Sequence, residues 1–308
     1  MNMFGTIVLY SIVVIAALLL LGWIFGERGP FLRKSTRALF KEQGLKNILN
    51  FTAIHSYIYM RWQNGYYKAS RWLILRVNAG VRKKIAGAYH GKVVTHDQAR
   101  AVITLNTSIP LRDLEQVIPY ATARDLLLTG PPDVAVTECR CRAALEKHCE
   151  PTQVCMVIGK PFTDFFLEHN PDVTRRLSQA EALDLLKQTH ESGLIHTAWF
   201  KDVMLNRFYG ICNCCKCCCG GTAAMLKLGI PLLASSGYVC RVDESKCEAC
   251  GICEQACHFN AITVDKIAKV SWEKCMGCGV CEVKCPNAAM SLVRDEKKGL
   301  PFDVRMMA

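Results

Sequence analysis

The sequence predicts an α+β protein in which an N-terminal transmembrane helix precedes a cysteine-rich body of mixed helices and strands. Three observations support this fold class. The first 26 residues carry no charged side chain, a block of positive charge follows them, and all 19 cysteines lie at or after Cys139. A chain of 308 residues is long enough for one such helix and about two folded domains.

Residues 4–26 form an uncharged, mostly apolar run of 23 residues. A helix of that length can cross the roughly 30 Å hydrocarbon layer of a bilayer, and Trp23 and Phe25 near its end suit the membrane interface. A cleaved signal peptide would need a basic segment before a shorter apolar core, and nothing basic precedes this run. The sequence therefore predicts a retained transmembrane anchor over residues 1–27.

Basic residues just beyond the apolar run determine the predicted orientation. They are Arg28, Arg33, Lys34, Arg37 and Lys41, and positive charge at the end of a span favours the cytoplasmic side. No twin arginine, the mark of a folded export route, precedes the run. We therefore expect a single-pass protein of the cell inner membrane whose C-terminal domains are cytoplasmic.

The net charge of +11 comes from one part of the chain. Residues 27–92 hold 14 Lys/Arg and 2 Asp/Glu, a net of +12, whereas residues 93–308 hold 24 and 25, a net of −1. This distribution argues against nucleic-acid binding, which would place the charge on the folded domain. Residues 28–92 are predicted to be a basic, aromatic, juxtamembrane helical region. Three interpretations of this region are open. Its helices lie in the lipid headgroup layer, or they expose a solvated basic face and bury ordinary core aromatics, or they form a docking surface for a membrane partner.

Two segments near the C-terminus repeat with an offset of 28 residues. They read KCEACGICEQACHFNAI at 246–262 and KCMGCGVCEVKCPNAAM at 274–290, and each contains C-x2-C-x2-C-x3-C. Over about 240–294 the chain resembles the bacterial two-[4Fe-4S] ferredoxin family. The resemblance implies a dicluster ferredoxin-like domain over 237–308, with short strands at 261–265 and 289–293.

In that family the fourth cysteine of each repeat binds the other cluster. The resemblance therefore implies one [4Fe-4S] cluster on Cys247, Cys250, Cys253 and Cys285, and a second on Cys275, Cys278, Cys281 and Cys257. His258 stands where the second repeat has Pro286. We interpret it as a solvent-facing substitution, with a looser loop or an imidazole near a cluster as the alternatives.

Ten further cysteines lie in the predicted middle domain, residues 93–236. Four of them, Cys139, Cys141, Cys149 and Cys155, fall within TECRCRAALEKHCEPTQVC, and six fall within ICNCCKCCCG: Cys212, Cys214, Cys215, Cys217, Cys218 and Cys219. Adjacent cysteines rarely meet the Cα spacing of a disulfide, so clustered CxC spacings favour metal ligation. Ten thiols would hold one or two further iron–sulfur clusters, and zinc on four thiolates remains an alternative.

Neighbouring residues of an extended segment point to opposite sides. The members of the pairs Cys214/Cys215 and Cys217/Cys218 can therefore face two different sites, so that the run either bridges two clusters or wraps one large one. The other walls of this cofactor site are predicted to come from residues 139–155. Cys240 fits no ligand spacing and is interpreted as a buried free thiol.

Three short segments of the middle domain recur together in another group of proteins. They are C-x-C-R at 139–142, G-L-I-H at 193–196 and N-C-C-x-C-C-C at 213–219. In combination with the C-terminal repeats they resemble an uncharacterised family of cysteine-rich iron–sulfur proteins of anaerobes, over about 93–294. The resemblance implies redox chemistry without specifying a reaction.

Residues 178–193 are predicted to form a helix that begins at a capping box of Ser178 and Glu181 and ends at Gly193. Upstream, the sequence predicts one short helix over residues 108–120 and a second that begins at residue 123. A strand that leads into Cys139 is expected to follow them. We interpret His190 as a cation near the helix end and His196 as a core histidine rather than a cluster ligand.

The sequence predicts a membrane-anchored, multi-cluster iron–sulfur electron-transfer protein that links a cytoplasmic donor to a membrane-associated acceptor. Neither a GxGxxG nucleotide fingerprint nor a P-loop is present. Electrons would thus be exchanged with redox partner proteins, including a membrane complex or quinone-linked subunit; membrane lipid is the other expected partner, and nucleic acid is not. The alternatives are an iron–sulfur reductase with a catalytic cluster in the middle domain, and a metal-storage scaffold.

Overall fold

The computed structural model of the chain describes residues 3–26, 32–44 and 51–307. Five helices come first: α1 (Met3–Gly26), α2 (Lys34–Gln43), α3 (Phe51–Arg61), α4 (Gln63–Ile74) and α5 (Ala79–Ala88). The orienting residue Arg28 lies outside the described ranges.

Within the described ranges, no helix combines the length and the apolar character that a membrane crossing requires. The predicted transmembrane helix over 1–27 is therefore wrong. The single-pass inner-membrane location with cytoplasmic C-terminal domains, which depended on that helix, is wrong with it.

Helices α2 and α3 pack against the body of the protein. Leu39, Phe40 and Met60 are fully buried, and Tyr57 meets Phe165 edge to face with ring centroids 5.8 Å apart. Burial of this kind makes these side chains part of the apolar core. It favours the interpretation of Phe40 and Tyr57 as ordinary core residues, whereas Phe51, Trp62 and Trp72 of the same region are exposed.

The body is built on a seven-stranded sheet. Its strands are β1 (Tyr89–Val94), β4 (Val134–Glu138), β5 (Gln153–Ile158), β6 (Thr174–Leu177), β7 (Ile195–Lys201), β8 (Arg207–Cys214) and β9 (Leu233–Ala234). The spatial order is β6-β4-β5-β8-β7-β1-β9. The β1–β9 pair is parallel and the other neighbours are antiparallel. The strand predicted to enter Cys139 is confirmed as β4.

A separate hairpin of β2 (Ile109–Leu111) and β3 (Leu126–Leu128) occupies the segment predicted to hold two short helices. That prediction is wrong. Short apolar runs do not distinguish a helix from a strand by periodicity, and here antiparallel pairing sets Ile109 opposite Leu128 with both side chains buried.

The helices that cover the sheet are α6 (His96–Ile103), α7 (Arg140–Ala143), α8 (Phe162–His169), α9 (Gln179–Glu191) and α10 (Gly220–Leu228). The predicted helix is confirmed as α9, because Ser178 and Glu181 form the full capping box. Gly193 follows its end with φ of +84°, a left-handed conformation that glycine adopts without a Cβ penalty.

The C-terminal part contains β10 (Tyr238–Val242), α11 (Ile252–Ala256), β11 (Ile262–Val264), β12 (Ala268–Val270), α12 (Val280–Lys284) and β13 (Met290–Arg294). The two strands predicted from the repeat are confirmed as β11 and β13. They do not pair with each other: β10 pairs with β13 and β11 pairs with β12. Adding 28 residues carries β11 onto β13 and β10 onto β12, so the pairing has a pseudo-twofold pattern.

Beyond β13 the chain returns to the sheet. Phe302 and Val304 are fully buried, and the Phe302 ring lies 5.6 Å from the rings of both Phe200 and Phe208. Arg305 adds an ion pair to Asp97 at 2.7 Å. This C-terminal tail, residues 300–307, fastens the C-terminal part to the core of the body.

Candidate iron–sulfur site

Four of the ten middle cysteines form a compact group, which we call the four-thiol group. Its sulfurs, those of Cys149, Cys215, Cys217 and Cys218, all lie within 4.8 Å of one another. The Cys217–Cys218 and Cys218–Cys149 sulfur distances are 3.4 and 3.7 Å. Cys149 and Cys217 also touch, but their Cα atoms are 7.6 Å apart, beyond the usual 4.4–6.8 Å of a disulfide. The four sulfurs are close enough together to hold one metal centre.

The other six middle cysteines form a closed ring of thiol–thiol contacts, which we call the six-thiol ring. Cys139 contacts Cys141 and Cys155, Cys219 contacts Cys141 and Cys214, and Cys212 contacts Cys155 and Cys214. Each member therefore has two neighbours in the ring. The ten cysteines thus divide into four and six, with none left over.

The sheet explains how the six-thiol ring forms. Cys155 of β5 lies directly opposite Cys212 of β8, and cross-strand partners place their side chains on the same face. Cys212 and Cys214 are two residues apart in β8, so their thiols also share that face. The next residue belongs to the other site: Cys215 lies in the four-thiol group, as predicted for the Cys214/Cys215 pair. Cys217 and Cys218, predicted to separate, both lie in the four-thiol group.

Hydrogen bonds within the six-thiol ring favour the thiolate at Cys139 and Cys219, whereas the pKa values of the other four ring members are raised. Hydrogen bonds from Cys141 and Cys155, with a further contribution from Arg142, lower the pKa of Cys139 to about 3. Hydrogen bonds from Cys141 and Cys214 likewise hold the pKa of Cys219 well below its ordinary value. Thiolates are the form in which cysteine binds metal.

Arg142 joins the three motif segments. Its guanidinium is buried and donates to the Pro151 carbonyl and, at 3.5 Å, to the Asn213 carbonyl. The Asn213 side chain in turn lies 2.6 Å from the Nδ1 atom of His196. The C-x-C-R, G-L-I-H and N-C-C segments therefore meet in one hydrogen-bonded unit beside the thiols.

Two glycines let the chain close over the six-thiol ring. The Gly220 amide donates to the Cys141 sulfur at 3.3 Å, and a Cβ on Gly220 would overlap the Tyr67 hydroxyl. A Cβ on Gly221 would lie 2.8 Å from the Trp199 ring. Tyr67 belongs to α4 and hydrogen-bonds with Cys141, so the basic aromatic region supplies part of the wall of this site, a role that its composition did not reveal.

The structure places the eight C-terminal cysteines in two neighbouring groups, and the ligand sets that the resemblance implied stay a prediction. Cys247, Cys250, Cys253 and Cys285 line one cavity. The second set surrounds Cys278, whose pKa is raised by burial and by the neighbouring thiols of Cys281, Cys257 and Cys275. In each set, three cysteines come from one repeat and the fourth from the other.

Backbone amides donate to four of these sulfurs in a pseudo-twofold pattern. Ala261 and Ala289 donate to Cys257 and Cys285 at 3.2 and 3.3 Å. Across the two halves, Cys240 donates to Cys275 at 3.5 Å and Ala268 to Cys247 at 3.4 Å. Residue 268 is the 28-residue equivalent of residue 240. Cys240, buried as predicted, thus contributes its backbone amide, and amide bonds of this kind tune the potential of a cluster.

Residues 241–263 and 268–291 match the family model of the 4Fe-4S binding domain. The C-terminal part is therefore a dicluster ferredoxin-like domain, with two adjacent motifs for [4Fe-4S] clusters. Together with the cysteine groups of the body, the match indicates iron–sulfur electron transfer. A search of curated proteins and a search of solved structures gave no match. The wider resemblance over 93–294 stays a prediction.

The ferredoxin-like domain contacts the body next to its cluster ligands. His258, which follows Cys257, is buried, and its Nε2 donates to the Gly193 carbonyl at 2.9 Å. The interpretation of His258 as solvent-facing is therefore wrong, because the body covers this position. Lys216, within the cysteine run, donates to the Gln255 carbonyl at 3.1 Å. The Lys216 contact joins the ferredoxin-like domain to the cysteine run, and the His258 contact joins it to the G-L-I-H segment.

Proposed function

We propose that this chain is an electron-transfer protein with two [4Fe-4S] clusters in the ferredoxin-like domain and two further metal–sulfur centres in the body. The observation that carries the proposal is the division of the ten middle cysteines into a four-thiol group and a six-thiol ring. The ferredoxin-like domain meets the body beside both groups, because Lys216 lies between Cys215 and Cys217 and the His258 imidazole interacts with the Cys219 thiol. Electrons would pass between the domains across this contact.

The ligand sets of the ferredoxin-like domain follow its pseudo-twofold arrangement. One cluster takes Cys247, Cys250, Cys253 and Cys285, and the other takes Cys275, Cys278, Cys281 and Cys257. The shared cavity of the first set and the mutual proximity of the second support this assignment. The four amide–sulfur bonds stabilise the thiolate charge in both halves.

In the body, the four-thiol group supplies the ligand number of one cubane cluster. The six-thiol ring offers two thiolates more than a cubane binds, so we assign it an iron–sulfur cluster of more than four irons. Arg142 and the amide of Gly220 offset its negative charge.

The surface of the ferredoxin-like domain indicates where a redox partner protein meets the chain. Cys250 is exposed, whereas Cys253 of the same set is buried. The cluster on this set is therefore the one within reach of an external protein, and the cluster that includes Cys257 faces the body. We propose an order of partner, outer cluster, inner cluster and body.

Metal analysis of anaerobically purified protein tests this proposal. We expect about 16 irons or more per chain with matching acid-labile sulfide, and electron paramagnetic resonance signals from more than two clusters after reduction. Cys218→Ser should remove the centre of the four-thiol group, Cys155→Ser that of the six-thiol ring, and Cys240→Ala, the matched control, neither. About 8 irons per chain, with zinc on the middle thiols, would contradict it.

A second candidate function is reduction of a substrate at the six-thiol ring. The observation that favours it is the Tyr67 hydroxyl, a proton donor that hydrogen-bonds with Cys141 at the wall of the site. A catalytic cluster has an iron with an open coordination position, which cyanide would occupy. A cyanide-induced change in the resonance of the ring cluster, together with disulfide reduction that Tyr67→Phe slows, would favour the reductase. An unchanged spectrum and no turnover would leave the electron carrier.

A further inference from the structure

Three histidines form a group that includes none of the thiols. His96 is the first residue of α6, His190 lies in the last turn of α9, and His196 lies on β7. One ring nitrogen from each lies within 4.8 Å of the others. His96 is about 100 positions from the other two in the sequence, and it is brought to them because α6 and α9 both pack on β7.

The hydrogen bonds of His196 fix which of its nitrogens is free. The Asn213 amide nitrogen donates to the Val154 carbonyl at 2.7 Å, so the Asn213 oxygen is an acceptor. His196 Nδ1 donates to that oxygen at 2.6 Å. Its Nε2 therefore carries a lone pair, and this atom lies 3.4 Å from His96 Nδ1. A histidine that binds metal through one nitrogen commonly donates the other N–H to such a partner.

His190 contributes a nitrogen without a partner. Among the described residues, its Nδ1 is buried and has no hydrogen-bond partner. A buried polar atom left unpaired is costly, and a bound cation would satisfy it. The position next to two further imidazoles makes an ion a better match than a protein donor.

Burial favours the neutral form of all three imidazoles, which is the form that binds metal. Burial is the main cause that lowers the pKa of His96, to about 4. Repulsion from His190 and Arg100 lowers it further, and the Asp97 carboxylate acts in the opposite direction. Burial likewise lowers the pKa of His196 to about 3. Burial also lowers the pKa of His190, while the nearby Glu191 raises it and Lys284 lowers it. Burial therefore disfavours the charged form that the helix-end interpretation of His190 requires.

We propose that His96, His190 and His196 bind one zinc ion through three imidazole nitrogens, with a fourth position left for water or an anion. A tetrahedral zinc with Zn–N distances of about 2.0–2.1 Å separates its ligand nitrogens by about 3.4 Å, and the His96–His196 nitrogens already have that spacing. The described group includes neither carboxylate nor sulfur, which favours zinc over a two-histidine, one-carboxylate iron site or a thiolate copper site. Asn213 is the positioning residue.

The test uses the anaerobically purified full chain with its clusters in place. A mild chelator first removes loosely held zinc, and Zn²⁺ alone is then titrated back. We expect one equivalent to bind, and X-ray absorption at the zinc edge to show nitrogen at about 2.0–2.1 Å with no sulfur at about 2.3 Å. The iron clusters do not contribute at that edge.

Variants identify the ligands. His96→Ala and His190→Ala should weaken zinc binding by about 100-fold or more, above the 10–100-fold typical of outer partners. The matched control, His55→Ala, removes an imidazole that bonds Tyr66 at another place and should leave binding unchanged. Iron content, measured in parallel, reports whether each variant keeps its fold. Sulfur at the zinc edge in the unsubstituted protein, failure of that protein to bind zinc, or unchanged binding in a folded His96→Ala variant would overturn the proposal.

Discussion

Two glycines of the ferredoxin-like domain, Gly251 and Gly277, provide a matched test of whether close packing of the backbone requires glycine at these positions. Both have left-handed backbones, with φ of +77° and +64°. A Cβ on Gly251 would have no neighbour within 4 Å, whereas one on Gly277 would overlap the Ser236 hydroxyl and lie 2.7 Å from the carbonyl carbon of Tyr238. Each Gly→Ala change therefore has the same conformational cost, but only Gly277→Ala adds a steric clash.

The left-handed conformation costs an alanine about 1–2 kcal/mol, and overpacking adds about 1–3 kcal/mol. We expect Gly251→Ala to lower the free energy of unfolding by about 1–2 kcal/mol and Gly277→Ala by about 2–5 kcal/mol. Ala249 supports the comparison, because it occupies the 28-residue equivalent of Gly277 with φ of +52°. Thermal unfolding under anaerobic conditions, with iron content measured beforehand, gives the two values. Equal losses for the two variants would show that backbone conformation, and not contact with Ser236 and Tyr238, determines the need for glycine.

Three further predictions concern the tail and α9. Phe302→Ala should lower the free energy of unfolding by about 3–5 kcal/mol, because the ring is fully buried. The control, Leu300→Ala, changes an exposed position and should alter the free energy of unfolding little. Equal melting temperatures of the two variants would contradict this prediction. Ser178→Ala should cost about 1 kcal/mol through loss of the α9 cap, seen as a lower melting temperature. The pKa of Asp303 is lowered by its hydrogen bond with Arg305, so its stabilisation is present above about pH 4 and is lost below that. Asp303→Asn should remove this acid dependence. The measurement is the rate at which a protease cleaves the tail at several pH values.

The ferredoxin-like domain could be predicted from the sequence because most of its determinants are local. Three of the four cysteines in each ligand set come from one short repeat, and the 28-residue offset revealed the pseudo-symmetry. The partner strands β10 and β12 were missed, since they lie outside the cysteine repeats and pair across the two halves.

The sequence identified the ten cysteines of the middle site, but it did not predict how they divide into the four-thiol group and the six-thiol ring. Alternation in an extended segment separated Cys214 from Cys215 correctly, because it is a local property. The six-thiol ring depends on the pairing of β5 with β8, which joins residues 57 positions apart, and no short-range pattern reports such a contact. The segment from 215 leaves the strand and turns, so alternation failed for Cys217 and Cys218.

The histidine group was missed for a related reason. His196 was interpreted as a core histidine, and it is indeed buried and hydrogen-bonded to Asn213. Its proximity to His96 arises from a tertiary contact between elements about 100 positions apart in the chain. Only the short spacing of His190 and His196, at the end of a helix and the start of the next strand, gave a local signal.

The return of the tail to the sheet has a consequence for how electrons would travel. With Phe302 seated between Phe200 and Phe208 and His258 bonded to Gly193, the ferredoxin-like domain is attached at two separate points. A unit held in this way keeps a constant gap between donor and acceptor and does not need to swing between them. Transfer inside the protein should then be insensitive to solvent viscosity, unlike transfer that depends on domain motion.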